Sequence, residues 1–252
     1  ALVSPGDDYQ GHGERDLVIE VHEGDTTTAV GQTLYDAGVV ATVRAFVDAA
    51  HGNAKISAIQ PGFYRTRTVI PAAMAVQQLT DPQNRVGRLV IPEGRQLDDT
   101  VDVKTEETTP GIFSLIAAAS CVRLDGAEHC VAADELRAAA RTEPPVALSV
   151  PDWAVLPVTQ MGGDHRRIEG LIAPGTWNID PAATAPAMLS RLIGGSAAAF
   201  NQSGLPRAAG SLQMSPYDVL VVASLVQRET KPADFPKVAR VIYNRLRDHR
   251  KL

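Results

Sequence analysis

The feature that most constrains this chain is a pair of apolar stripes, both at helical spacing, on either side of Pro232 within Ser215–Leu252. Ser215 followed by Pro216 and Asp218 reads as a helix start. The hydroxyl caps free amides, proline suits the first helical position, and Asp218 faces the positive end of the helix dipole. The helix runs through Val219–Val226 and stops before Pro232, because the residue ahead of a proline is biased away from helical geometry. Phe235, Val238, Val241, Ile242 and Leu246 then repeat at helical spacing, so a second helix returns from the turn. Glu229 lies three, four and seven residues after Val226, Leu225 and Val222 and continues their apolar face. A carboxyl there is partly desolvated and near the negative end of its helix. Both effects raise its pKa, as a general acid working near neutral pH requires. The ordinary alternative, a solvated glutamate at a helix end, stays open on these residues alone.

The two helices resemble the signature of the YceG-like family, the endolytic murein transglycosylases also called MltG. That family carries "ASIVEKET" followed by "VASVFYNRL"; here the same places read Ala223-Ser224-Leu225-Val226-Gln227-Arg228-Glu229-Thr230 and Val238-Ala239-Arg240-Val241-Ile242-Tyr243-Asn244-Arg245-Leu246. The second glutamate of the motif, its catalytic acid, falls on Glu229, and the first is replaced by Gln227. Ile91-Pro92-Glu93-Gly94 resembles the "IPEG" that opens the family's catalytic domain, with Glu93 suited to structural hydrogen bonding. Arg167-Ile168-Glu169-Gly170-Leu171-Ile172-Ala173-Pro174-Gly175-Thr176-Trp177 resembles "LEGFLFPDTY", a segment that lines the family's catalytic groove. The resemblance implies substrate contacts from Glu169, Trp177, Gln227, Thr230, Tyr243 and Asn244 around the acid Glu229. Thr230 is within reach of a hydrogen bond to that acid, and Trp177 offers a flat face for a sugar ring.

The fold class expected is α+β, a small LysM-like βααβ module ahead of an incomplete YceG-like catalytic domain. Residues 1–16 read as a linker: proline, glycine and paired aspartates without periodicity. Residues 17–88 form the module. A strand over Leu17–Val21 leads through the turn Glu23-Gly24-Asp25 to helices over Thr26–Asp36 and Val43–Ala50, and Gln60-Pro61-Gly62-Phe63-Tyr64 returns as turn and strand. A helix over Pro71–Leu79 follows. Residues 89–252 make up the catalytic domain, with a strand over Arg88–Ile91, loop at Thr105–Thr109, and helices over Ile112–Ser120 and Pro186–Gln202. Ser203–Ser211 reads as a polar loop. In the family, segments resembling "LQSDPTVIYG", "YNTY" and "PGPI" come after the second helix, so the resemblance implies groove walls beyond Leu252 and little activity without them.

Cys121 and Cys130, the only cysteines, flank an Asp-Gly turn; two free thiols or a disulfide fit that spacing, and an exported protein favours the disulfide. The histidines lack the clustered spacing of a metal site, and no cofactor motif is present. A net charge of −5 argues against nucleic acid. No run of eighteen apolar residues spans a membrane. Members of the family are tethered by one N-terminal membrane helix, so the resemblance implies the outward-facing part of an anchored protein. Its partners would be peptidoglycan glycan strands and cell-wall synthases. A non-catalytic peptidoglycan-binding scaffold is the competing class.

Overall fold

The computed structural model describes residues 8–248 and 250. Two compact units emerge, one from the residues up to Leu89 with Leu115–Ala132 and Thr176–Thr184, the other from Val90–Ser114, Ala133–Gly175 and the residues from Ala185 on. The division after Leu89 falls one residue beyond the expected module boundary. The two later segments that join the first unit carry no mark in the sequence, since membership of a unit is decided by long-range packing.

In the first unit, β1 (Asp16–Val21) pairs antiparallel with β2 (Gly62–Arg67), which pairs with β3 (Arg85–Val86). Two helices, α1 (Thr27–Asp36) and α2 (Val43–Ala50), lie between the first two strands, and α3 (Ala72–Thr80) lies between the second and third. The Thr26 and Thr42 hydroxyls each accept an amide of the following first turn at 3.1 Å, which explains where α1 and α2 begin. Leu34, Val39, Phe46 and Ile70 are wholly inaccessible to solvent in this core. Burying each large side chain contributes roughly 1.5–3 kcal/mol.

The start of the chain corrects the reading of residues 1–16 as linker. Residues 1–7 lie outside the described residues, but Asp8 accepts the Ala72 amide at the start of α3 with both carboxylate oxygens, at 3.0 and 2.9 Å. The Glu14 amide donates to the Thr68 carbonyl at 3.0 Å. A carboxylate satisfies an otherwise orphaned helix amide. Its partner is 64 residues away, beyond any local pattern.

The chain continues through β4 (Arg88–Ile91), β5 (Thr100–Val101), β6 (Thr108–Thr109) and α4 (Ile112–Ala119). Thr108–Thr109 was expected as loop; it pairs with Thr100–Val101 in a ladder too short for periodicity to reveal. A tight hairpin follows, β7 (Val122–Leu124) and β8 (Ala127–His129), turned by Asp125 and Gly126 at φ of 49° and 82°. Positive φ at both turn positions suits the right-handed twist of the strands and the Asp-Gly pair. Cys121 and Cys130, the next pair below Val122 and His129, are joined by a disulfide with an S–S distance of 2.09 Å. The Asp125 amide donates to the Asp16 carboxylate at 2.9 Å, and the Asp16 amide donates back to Asp125 at 2.8 Å, fixing the hairpin to β1.

The second unit is mainly helical: α5 (Ala133–Thr142), α6 (Asp152–Gln160), α7 (Ala185–Gln202), α8 (Leu205–Leu212), α9 (Pro216–Glu229) and α10 (Phe235–Arg247), while β9 (Gly175–Asn178) pairs with β4. Leu136, Ala140, Leu148, Ala154, Val158, Ile168, Leu189 and Leu192 form its solvent-free interior. The sequence reading leaves α5 and α6 unassigned, and it took α8 for a polar loop. Leu205 and Ala209 bury one face of α8, Pro206 occupies its first turn, and Gly204 precedes it at φ 85°. Two apolar residues one turn apart suffice because the helix leans on its neighbours. Ser215 caps α9 as expected, accepting the Asp218 amide at 3.0 Å. Val222 and Val226 pack against Ile242 of α10. Among the described residues no helix is long and apolar enough to cross a membrane.

Gly87 ties the first unit together: its carbonyl accepts the Ile179 amide at 2.9 Å, at φ 67°. A Cβ there would meet the Ile179 carbonyl oxygen at 1.9 Å. Gly87→Ala should therefore cost about 2–4 kcal/mol, from left-handed strain plus a backbone clash. Denaturant unfolding monitored by circular dichroism would measure the loss.

Candidate active site

A cleft of about 1240 Å³ opens in the second unit between the 94–96 segment, the 166–174 segment and α9–α10. It exceeds the range of roughly 300–1,000 Å³ common for small-molecule pockets, and so has room for part of a polymer. Phe200, Tyr217, Phe235 and Tyr243 give it aromatic walls, and Gln96, Ser224 and Gln227 supply polar groups. Arg95, Arg166 and Arg228 also line it. Among the described residues that line the cleft, Glu169 is the one carboxylate.

Glu169 is aimed there by the residues just before it. Arg167 is buried; its Nε donates to the Ala140 carbonyl at 2.6 Å and its Nη2 to the Glu143 carbonyl, so the guanidinium meets the C-terminal end of α5. A helix end offers free carbonyls and a negative dipole, which suit a buried cation. Ile168 is fully enclosed beside it. With these two side chains sunk inward, the next one faces out into the cleft. The Leu97 amide donates to Glu169 Oε2 at 3.3 Å.

The residue as a whole keeps solvent contact, but its carboxyl lies low in the cleft among protein atoms. That desolvation, helped by the charge of Asp98, raises its pKa against the opposing Leu97 and Gly170 amides and His165. Asp98 behaves oppositely. Burial disfavours its charge, but hydrogen bonds from Arg137 and His165 outweigh burial and hold it below the usual carboxylate range. Arg137 Nε donates to Asp98 Oδ1 at 2.8 Å, and His165 Nε2 meets Oδ2 at 2.6 Å. The Phe113 ring lies beside both cations, 5.8 Å from the Arg137 guanidinium and 6.1 Å from the imidazole centroid.

The other expected site residues separate. Glu229 is the last residue of α9, with Val226 buried and Leu225 half-buried one turn before it, but its side chain is exposed and does not line the cleft. The helical phase explains this, because the next residue leaves the helix and no later turn covers that face. Thr230 is the half-buried cap of α9 and makes no hydrogen bond to Glu229. Gln227 does line the cleft, donating to Glu93 Oε2 on its rim at 3.2 Å. Tyr243 lines the cleft too. Asn244 lines instead a second groove of about 830 Å³ along α9 and α10, whose carboxylate, Asp218, is engaged by the Ser215 hydroxyl at 2.6 Å. Trp177 sits on β9 in the first unit and is no part of the cleft. Asp98, Arg137 and His165 were missed in the sequence, where nothing but the Asp-Asp pair at 98–99 hints at them. Among the described residues no three His, Cys, Asp or Glu side chains gather to hold a metal.

The structure thus defines a mixed helix-and-sheet protein with a polymer-sized cleft and a single carboxylate in it. The model of the YceG-like family matches residues 19–252, and the chain belongs to that family. The solved structure of a yceG-like protein from Listeria monocytogenes is similar, with a TM-score of 0.51 and 18% sequence identity, over 94% of this chain and 72% of the other. At that identity the likeness speaks for the fold alone. No curated protein matches the chain by sequence.

Because the folded pKa of Glu169 lies above its ordinary 4.5, the folded state holds this proton more tightly than the unfolded chain does. The resulting stabilisation is fully present below the unfolded value and is lost as pH rises through the folded one. Glu169→Gln, which cannot ionise, should therefore melt above the parent at pH 7, and the gap should close below about pH 4. Thermal melts of both proteins across that range would check it.

Proposed function

We propose that this protein is a lytic transglycosylase of peptidoglycan, cutting the bond between N-acetylmuramic acid and N-acetylglucosamine inside glycan strands and leaving 1,6-anhydro ends. Family membership supports the substrate class. The observation that carries the reaction type is the single carboxylate of the cleft. Hydrolysis of a glycoside generally uses two carboxyls, roughly 5–5.5 or 6.5–9.5 Å apart, one of them to bring in water or form a covalent intermediate. An internal nucleophile removes that need.

Glu169, held protonated by its surroundings, gives its proton to the leaving glycosidic oxygen as the bond from the muramyl anomeric carbon breaks. The resulting carboxylate takes the proton of the muramyl 6-hydroxyl as that oxygen bonds the anomeric carbon. The acid is regenerated and no water is consumed. In this reading Glu229, the acid the family motif nominates, is not the proton donor, because its side chain does not line the cleft. Aromatic side chains such as Tyr217 and Tyr243 suit the apolar faces of sugar rings. The first unit fits a LysM-like glycan holder; its β-α-α-β order and a cavity of about 410 Å³ beside Gly24–Thr26 support that role. Work outside the cytoplasm, at the membrane face where cell-wall synthases act, accords with the Cys121–Cys130 disulfide.

The test is digestion of purified sacculi with product analysis by mass spectrometry. Anhydro-ended fragments are expected, with a loss of about 10²–10⁴-fold in rate for Glu169→Gln and most activity kept by Glu229→Gln. Reducing-ended products would make the protein a hydrolase. Loss confined to Glu229→Gln would return the acid to the motif position. Binding without cleavage would leave a peptidoglycan scaffold.

A further inference from the structure

The segment that delivers the Leu97 amide to Glu169 is held more firmly than its own short run of residues can account for. The Gln96 and Leu97 carbonyls accept the Ile112 and Phe113 amides at 2.8 and 3.1 Å, and Asp99 accepts the Gly111 amide at 2.7 Å and the Ser114 hydroxyl at 2.6 Å. Gly111 leaves no room for a side chain: a Cβ would meet the Asp98 carbonyl carbon at 2.3 Å. These bonds all secure the backbone. Asp98 alone in this run turns its carboxylate the other way, between Arg137 of α5 and His165 of the turn that carries Glu169. Neither contact is required by the backbone arrangement, and both partners are about a quarter exposed, so stability alone gives a weak reason for the cluster.

We infer that Asp98, clamped by Arg137 and His165, is a positioning residue for the Glu169 carboxyl. Through His165 it ties the 94–99 segment to the turn bearing Glu169, four residues further on, so the Leu97 amide and the carboxyl it meets are set by one linkage. Its fixed negative charge also opposes ionisation of Glu169, so the acid keeps its proton until substrate arrives. The groups facing Glu169 are Asp98 and the Leu97 amide from one side, and His165, Arg166 and the Gly170 amide from its own turn. Tyr217 faces it from α9, and Arg95 and Arg228 stand on the cleft wall. Asp98 is the one neighbouring carboxylate that acts on it among these. The inference rests on Glu169 being the proton donor, and the experiment separates the two.

The measurement is the titration of Glu169 by carboxyl-carbon NMR in the whole protein, assigned by its loss in Glu169→Gln. Asp98→Asn keeps the shape and an acceptor for the clamp but removes the charge; the Glu169 midpoint should move to lower pH. Asp99→Asn removes a carboxylate from the same segment and should leave that midpoint in place, although it loosens the Gly111 contact. Asp98→Ser, a second neutral replacement, must give the same downward shift and serves if the asparagine variant does not fold. A midpoint unmoved in the Asp98 variants, or moved equally by Asp99→Asn, would reduce Asp98 to a structural group and overturn the proposal. On sacculi, the alkaline limb of kcat/KM should move down with the same variants, with kcat falling and KM held. Because the titration needs no turnover, a protein without transglycosylase activity would refute the proposed function while leaving this linkage measurable.

Discussion

The Arg167 guanidinium, buried against the carbonyls of Ala140 and Glu143, is the contact on which the candidate site depends. A buried cation is tolerated only where acceptors replace its lost water, and the exposed carbonyls at the end of α5 do this. Removing the guanidinium leaves those carbonyls without a partner in a dry place, whereas removing the helix end strands the charge. Either loss frees the turn His165–Gly170, and with it the direction of the carboxyl next along the chain. The acid is therefore aimed by a side chain that never touches the cleft.

Around that carboxyl two opposing demands meet. A proton donor needs a desolvated carboxyl that resists ionisation, and desolvation destabilises the folded state once the group does ionise. Here the conflict is softened by placement. Glu169 keeps solvent contact at the cleft surface while its carboxyl head rests against the Leu97 amide and near the Asp98 charge. Asp98 in turn is kept ionised by Arg137 and His165, so the carboxylate that costs little to charge lies beside the one that resists charging. Such divergence between neighbouring carboxyls is the usual way one of them becomes an acid at neutral pH.

Local signals accounted for much of the scaffold. The threonine caps of α1 and α2, the Ser215 cap of α9, the apolar stripes meeting at Val222, Val226 and Ile242, and the Asp-Gly turn between the cysteines all rest on neighbours within a few residues. Where the partner is distant the sequence was silent. Asp8 binding the start of α3, the short ladder of Thr100–Val101 with Thr108–Thr109, and the helix over Leu205–Leu212 all take their reason from contacts that no window of the chain contains.

The candidate site divides along the same line. Sequence by itself determined the family signature and brought forward Glu169, Gln227 and Tyr243, which the cleft gathers, because motifs record which residue types recur at which spacing. It could not say that Glu229, in phase with an apolar face, falls at the last residue of its helix and stays outside the cleft, or that Trp177 belongs to the other unit. Nor could it find Asp98, Arg137 and His165, which come from three separate stretches and share no periodicity. The direction of a side chain and the charges around it are set by how helices and turns pack in space. Only the tertiary structure fixes that, since electrostatic influence follows distance through the fold and not separation along the chain.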